Sequence, residues 1–201
     1  MLDLGFAPTY EVDIDPELPA DGNWGVPEFR FGYRSSSTLT LRIRPKVASP
    51  WVASFALETR GRLVSGLYAC PNPSHLLMAA GSSAYLIRVA EPGSVEELPI
   101  APVLAVRRPA GTGLLVIGSF TSLCAIDDIG LRWVTGQLFT DDLEFVDGPP
   151  GQICVKGRND WTATDPPPLV IDPDRGEIVR GFWNQSVPGL SGKPGWRRPG
   201  V

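Results

Sequence analysis

The sequence predicts an all-β protein built from antiparallel, short-stranded, propeller-like units of about 40 residues. Three observations carry that prediction. Gly 22 and Pro 21 among 201 residues leave little uninterrupted chain for long helices. Short runs alternate apolar and polar residues with period two, the signature of half-buried strands. Apolar segments ending in glycine recur as HLLMAAG (Gly81), LLVIG (Gly118) and ICVKG (Gly157), at intervals of roughly 40 residues. A β-sandwich is the alternative, because evenly spaced short strands describe it equally well. With 43% hydrophobic and 20% charged residues, the chain has ordinary globular usage and can bury a core.

Residues 1–28 read as an acidic extended arm. Asp3, Glu11, Asp13, Asp15, Glu17, Asp21 and Glu28 stand there without a Lys or Arg. Pro8, Pro16, Pro19 and Pro27 prevent a helix, and TYEVDI has the pattern of one short strand. Residues 29–186 form a single all-β domain that opens with the opposite charge. Arg30, Arg34, Arg42, Arg44, Lys46, Arg60 and Arg62 face one acid, Glu58. In TLTLRIR, Leu39, Leu41 and Ile43 take one face, and Thr40, Arg42 and Arg44 take the other. The basic residues therefore make an outer face, and the simplest use of tandem opposite blocks is that the arm lies on the basic strands.

Strands follow at WVASFALE and LVSGLYA, completing a first unit of residues 29–69. Units 75–108, 113–148 and 152–186 each begin at a glycine-terminated run. Each continues through a second strand (AYLIRV, SLCAID, PLVID) and a third (EELPI, LRWVTG, EIVRG). Two copies add a fourth strand, VLAVRR and LEFVDG, and TATDPPPL lengthens one loop of the last copy. If the units do not close into a ring, sheet edges must be covered by the arm or by another chain, so self-association through edges is expected. Residues 187–201 read as a flexible basic tail, with Trp183 and Trp196 as anchors.

The text from Gly66 to Gly81, GLYACPNPSHLLMAAG, continuing through AYLI, carries a resemblance. It resembles a group of uncharacterised bacterial proteins that share a Cys-Pro-x-Pro turn, a Gly-x-x-x-Tyr-Leu strand and a later Trp strand. Here these are Cys70-Pro71-Asn72-Pro73, Gly81 to Leu86, and Leu114 to Thr135. The resemblance spans roughly residues 60–180 and implies an all-β fold with propeller-like repeats and no assigned activity. The phrase VIDPDRGEIV also looks like the strand–turn–strand of enzyme-type propellers, a generic likeness that transfers no site residue.

Composition excludes several classes. No apolar run approaches ~18 residues, so no membrane span is predicted. The N-terminus lacks the basic and apolar regions of a secretory signal. Cys70, Cys124 and Cys154 have no metal-site spacing and read as reduced core thiols of a cytoplasmic protein. The one histidine, His75, precedes an apolar strand and reads as structural; GxSxG and HExxH are absent. Asp172-Pro-Asp174-Arg-Gly176-Glu177 is too short for a calcium loop and reads as a β-turn, and Asp13-Ile-Asp15-Pro-Glu17 reads as a solvated acidic stretch. Gly189 to Lys193 lacks the spacing of a phosphate loop. Arg42 and Arg44 beside Phe31, Tyr33 and Trp51 suggest a single-strand nucleic-acid surface, but most of the aromatics alternate to the opposite face and the isoelectric point is near 5.0.

The function expected is a non-enzymatic protein-binding or regulatory module of unknown partner, immunity-protein-like in kind. Arg30, Arg42 and Arg44 are its candidate binding residues, and no metal or cofactor is called for. The alternative is a carboxylate-dependent hydrolase acting on a sugar or other small substrate. Asp127, Asp128 and Asp141, beside Asp142 and Glu144, would be its acids, provided that the fold brings them together.

Overall fold

A computed structural model describes residues 5–33, 37–158 and 167–181. Sixteen strands make four four-stranded sheets, and no helix occurs among the described residues. Sheet I contains β1 (Tyr10–Ile14), β2 (Glu28–Phe31), β3 (Ser37–Pro45) and β4 (Trp51–Leu57), in spatial order β1-β3-β4-β2. Sheets II, III and IV are meanders in chain order. Sheet II holds β5 (Ser65–Ala69), β6 (His75–Ala80), β7 (Ala84–Arg88) and β8 (Val95–Glu97). Sheet III holds β9 (Ala105–Arg107), β10 (Leu115–Gly118), β11 (Leu123–Ile126) and β12 (Leu131–Val134). Sheet IV holds β13 (Asp141–Val146), β14 (Ile153–Arg158), β15 (Leu169–Ile171) and β16 (Ile178–Arg180). Pairing is antiparallel except between β2 and β4, which run parallel.

The all-β fold with small four-stranded, propeller-like units is the one expected, but the units begin one strand earlier than the recurring glycines suggest. The glycine-terminated runs are second strands. LVSGLYA therefore opens sheet II instead of closing sheet I, and VLAVRR opens sheet III. β2 forms no hairpin with β3, the next strand in the chain. It lies along β4 at the far edge, where Phe29 meets Trp51 edge-on at 5.6 Å and Phe31 stacks on Phe55 at 5.2 Å.

The sheets stack face to face in sequence through three cores. Leu41, Ile43, Trp51 and Phe55 of sheet I meet Leu76, Met78 and Ile87 of sheet II. The next residues along the same strands, Leu77, Ala79 and Leu86, meet Leu115, Ile117, Cys124 and Ile126 of sheet III. Leu123 and Trp133 of sheet III then meet Leu143, Ile153, Val155, Leu169 and Ile171 of sheet IV. This is why β6, β10 and β11 are continuously apolar: both faces of sheets II and III are covered, and alternate residues serve different cores. Among the described residues no apolar cluster joins sheet IV back to sheet I, so each terminal sheet has a face that no other sheet covers.

The acidic stretch supplies the outer edge of sheet I. β1 pairs with β3 so that Glu11 stands opposite Arg44 and Asp13 opposite Arg42. Arg44 binds Asp13 and lies 4.0 Å from Glu11, and Asp15 Oδ1 accepts the backbone N–H of Thr40 at 2.9 Å. The residues expected as the basic tail, the two tryptophans placed with it, and much of the TATDPPPL loop lie outside the described residues.

Candidate functional site

The sequence-derived acids are placed by turns. Asp127 opens the β11–β12 turn. Its Oδ1 accepts from the backbone N–H groups of Ile129 (2.8 Å) and Gly130 (3.0 Å), and its Oδ2 accepts from Arg132 at 3.2 Å. With both oxygens engaged and 8% of the residue exposed, this carboxylate holds the turn. Asp128 is exposed, and its carbonyl accepts from Asn72 Nδ2 at 2.7 Å. Asp141 begins β13, where its Oδ1 accepts the backbone N–H of Asp142 at 2.7 Å and its Oδ2 lies 3.8 Å from Arg158. Asp142 and Glu144 bind Arg62 at 3.1 and 3.0 Å.

Those partners locate the two acid groups. Arg62 precedes β5 and Asn72 follows it, so the groups contact segments at opposite ends of a strand whose five residues span roughly 16 Å. The carboxylates of a glycosidase pair stand about 5–9.5 Å apart. The fold therefore gives Asp127 and Asp128 one neighbourhood and Asp141, Asp142 and Glu144 another.

The three arginines share the outer face of sheet I and differ in what holds them. Arg44 is engaged by Asp13 and Glu11. Arg42 stands between Asp13 and Val52 in register, with its Nε buried and without a hydrogen-bond partner. Arg30 has no ion pair among the described residues and lines a groove of about 650 Å³ with Tyr33, Thr38, Thr40 and Ser54. Period two explains the lining. While Leu39, Leu41, Ala53 and Phe55 turn inward, Thr38, Thr40, Ser54 and Ala56 turn out, and the Thr40 and Ser54 hydroxyls meet at 3.2 Å. Tyr33, just past β2, is 97% exposed.

A second concavity, of about 420 Å³ and also bordered by Tyr33, lies where the end of β4 meets the β6–β7 turn and the end of β8. Tyr33, Tyr85, Glu58, Glu97, Arg60 and Ser83 contribute to it. Ser83 Oγ donates to Glu97 Oε1 at 2.8 Å. Burial raises the Tyr85 hydroxyl above its ordinary pKa; the Ser83 hydrogen bond opposes this, and the Glu97 and Tyr33 charges add to it. Two glycines bring the walls together. A Cβ on Gly81 would overlap the Glu58 carbonyl, and one on Gly32 would lie 3.1 Å from Ala56 Cβ and 3.2 Å from the Tyr85 hydroxyl. In the sequence Tyr33 stands among the aromatics beside the arginines, and Glu58 is a lone acid among bases. No spacing rule links either to Glu97.

The Cys-Pro-Asn-Pro turn is a structural junction. Thr9 donates its N–H (2.8 Å) and its hydroxyl (3.0 Å) to the Pro73 carbonyl, and the Tyr10 hydroxyl donates to the His75 carbonyl at 2.9 Å. Asn72 bridges to Asp128 in sheet III, so one turn ties sheets I, II and III. His75 is 7% exposed, opposes Arg88 in register, and keeps a buried Nδ1 without a partner. Burial lowers its pKa, Arg88 lowers it further, and Glu91 and Glu96 pull the other way. The thiols of Cys70 and Cys124 sit in the core between sheets II and III, and burial pushes both well above the usual thiol range.

The Asp172 turn binds its own backbone. Oδ1 accepts the N–H groups of Asp174 and Arg175, while Gly176 packs against the Trp133 ring. Among the described residues no group of three or more His, Cys, Asp or Glu is placed to hold a metal, and no helix is long and apolar enough to cross a membrane. No protein-family model and no curated protein matches the chain, so of what the Cys-Pro-x-Pro resemblance implied, the all-β fold is what stands.

Proposed function

We propose that this chain is a non-enzymatic protein-binding or regulatory module, immunity-protein-like in kind, that takes an acidic protein partner on the outer face of sheet I. The observation that carries the reading is the surface around Tyr33. An aromatic ring held almost wholly in solvent stands beside an arginine without an ion pair and rows of Thr and Ser hydroxyls. Tyrosine and arginine dominate the energetics of protein interfaces, because each presents a large amphipathic contact at modest entropic cost. Arg30, free of ion pairs among the described residues, gives this face donors that an acidic partner satisfies. The reading places the protein in the bacterial cytoplasm, where three free thiols remain reduced, and treats the four stacked sheets as propeller blades.

The test is affinity capture from the native cell with the intact protein, with Arg30→Glu and Tyr33→Ala run beside it. The expected result is a partner recovered at physiological salt by the native chain and lost with either variant, each weakening the complex at least ~10-fold. Recovery of the same partner by all three would remove this face from the reading.

A further inference from the structure

We infer that the cleft between the end of β4 and the β7–β8 side of sheet II is a binding site for an uncharged saccharide. The cleft is concave and, at about 420 Å³, within the range of small-ligand sites. Its walls are fixed by the Gly81 and Gly32 close approaches and by the Tyr85 ring, which packs on Phe55 at 5.3 Å. A ligand would thus meet a formed surface and pay little ordering cost.

The chemistry of the lining selects the ligand class. Glu58 and Glu97 outnumber Arg60, so a phosphate or carboxylate ligand meets net repulsion. The lining contains no run of large aliphatic side chains, so an apolar side chain finds no pocket. It does offer acceptors (two carboxylates), a forked donor (Arg60) and hydroxyls that do both, all within one cleft. A sugar presents adjacent hydroxyls, each donor and acceptor at once, and a C–H face that packs on an aromatic ring. Tyr33 supplies that ring with its faces open to solvent. Ser83 holds one Glu97 oxygen, orienting the carboxylate, and among the described residues the side chains of Glu58 and Arg60 have no ion-pair partner. Glu58 and Arg60 thus line the concavity with side chains that no ion pair holds among the described residues.

The inference is independent of the protein-docking reading, although Tyr33 borders both surfaces. Isothermal titration of the full chain with maltohexaose, cellohexaose and chitohexaose, with spermine as the cationic probe, tests it. The expected result is that at least one oligosaccharide binds with a dissociation constant below ~1 mM. Tyr33→Ala and Glu97→Gln each weaken it at least ~10-fold, while Arg175→Glu, exposed in the β15–β16 turn and outside the cleft, leaves it unchanged. Both cleft substitutions are at exposed residues, and circular dichroism melts check that the variants remain folded. Binding of spermine but none of the sugars, silence from all four probes, or sugar binding that survives both cleft substitutions would overturn the inference.

Discussion

At the scale of single residues, the fold assigns polar side chains to turns before it leaves any for chemistry. Asp127 shows the rule. Its carboxylate accepts two backbone N–H groups and an arginine, so Asp127, one of the acids singled out in the sequence, serves its turn. His75 shows the cost that such placement can carry. It is buried and neutral beside Arg88, with Nδ1 unpaired and Glu91 and Glu96 as the acids acting on it. The unfolded chain protonates this histidine below about pH 6.5, whereas the folded chain resists doing so. In that window the unfolded state holds more protons, so stability falls as pH drops through it and levels off once the folded histidine also charges. Urea unfolding at about pH 7.5, 6.5 and 5.5 is expected to show this decline in the native protein, with a smaller decline in His75→Gln, which cannot charge. Equal slopes for the two proteins would mean that burial of His75 is not what makes the junction sensitive to acid.

At the scale of elements, the strands were legible and their grouping was not. Period-two alternation marks β3 and β4 because one face of sheet I meets water, and continuous apolar runs mark β6, β10 and β11 because both faces are covered. Grouping failed by one strand because glycine recurs where the second strand of a sheet turns, for the close approach at Gly81, and not where a sheet ends. The parallel β2–β4 pair was invisible because its partner is not the next strand in the chain, and no local signal encodes it. The cleft residues were invisible for the same reason: Tyr33 past β2, Glu58 past β4 and Glu97 at the end of β8 are brought together only by the stacking of sheets I and II. The acidic stretch is the case where charge did inform pairing, since Asp13 and Glu11 meet Arg44 across the β1–β3 register. β1 also protects β3 from acting as an edge. Deleting residues 1–15 bares β3 from Leu41 to Pro45 and removes the Tyr10–His75 bond. Sedimentation velocity is expected to show the deleted chain associating at concentrations where the full chain shows less self-association. An unchanged sedimentation profile, with the variant still folded, would mean that β1 does not perform this covering role.

At the scale of the whole molecule, the stack makes its middle sheets indispensable. Sheet II contributes to two of the three cores and sheet III to two, whereas sheets I and IV contribute to one each. Each sheet shares a core only with its neighbour in sequence, as in other stacked arrays, so cohesion is transmitted along the series. The long-range link from Arg62 to Asp142 and Glu144 is made by part-exposed side chains, and exposed ion pairs typically contribute less than about 1 kcal/mol each. That is too little to stand in for a missing core. A cavity in the core between sheets II and III should therefore be felt by the entire chain. Leu77 is fully buried against sheet III, and Leu77→Ala is expected to cost about 2–5 kcal/mol in urea unfolding. Val179, exposed on the terminal strand β16, is expected to tolerate Ala within about 0.5 kcal/mol. If the stack behaves as one unit, intrinsic tryptophan fluorescence and far-ultraviolet circular dichroism will report the same midpoint for Leu77→Ala. Trp51 in the first core and Trp133 in the third would otherwise be freed at different denaturant concentrations. Separate midpoints would show that the two pairs of sheets fold apart and that the central core only holds them together.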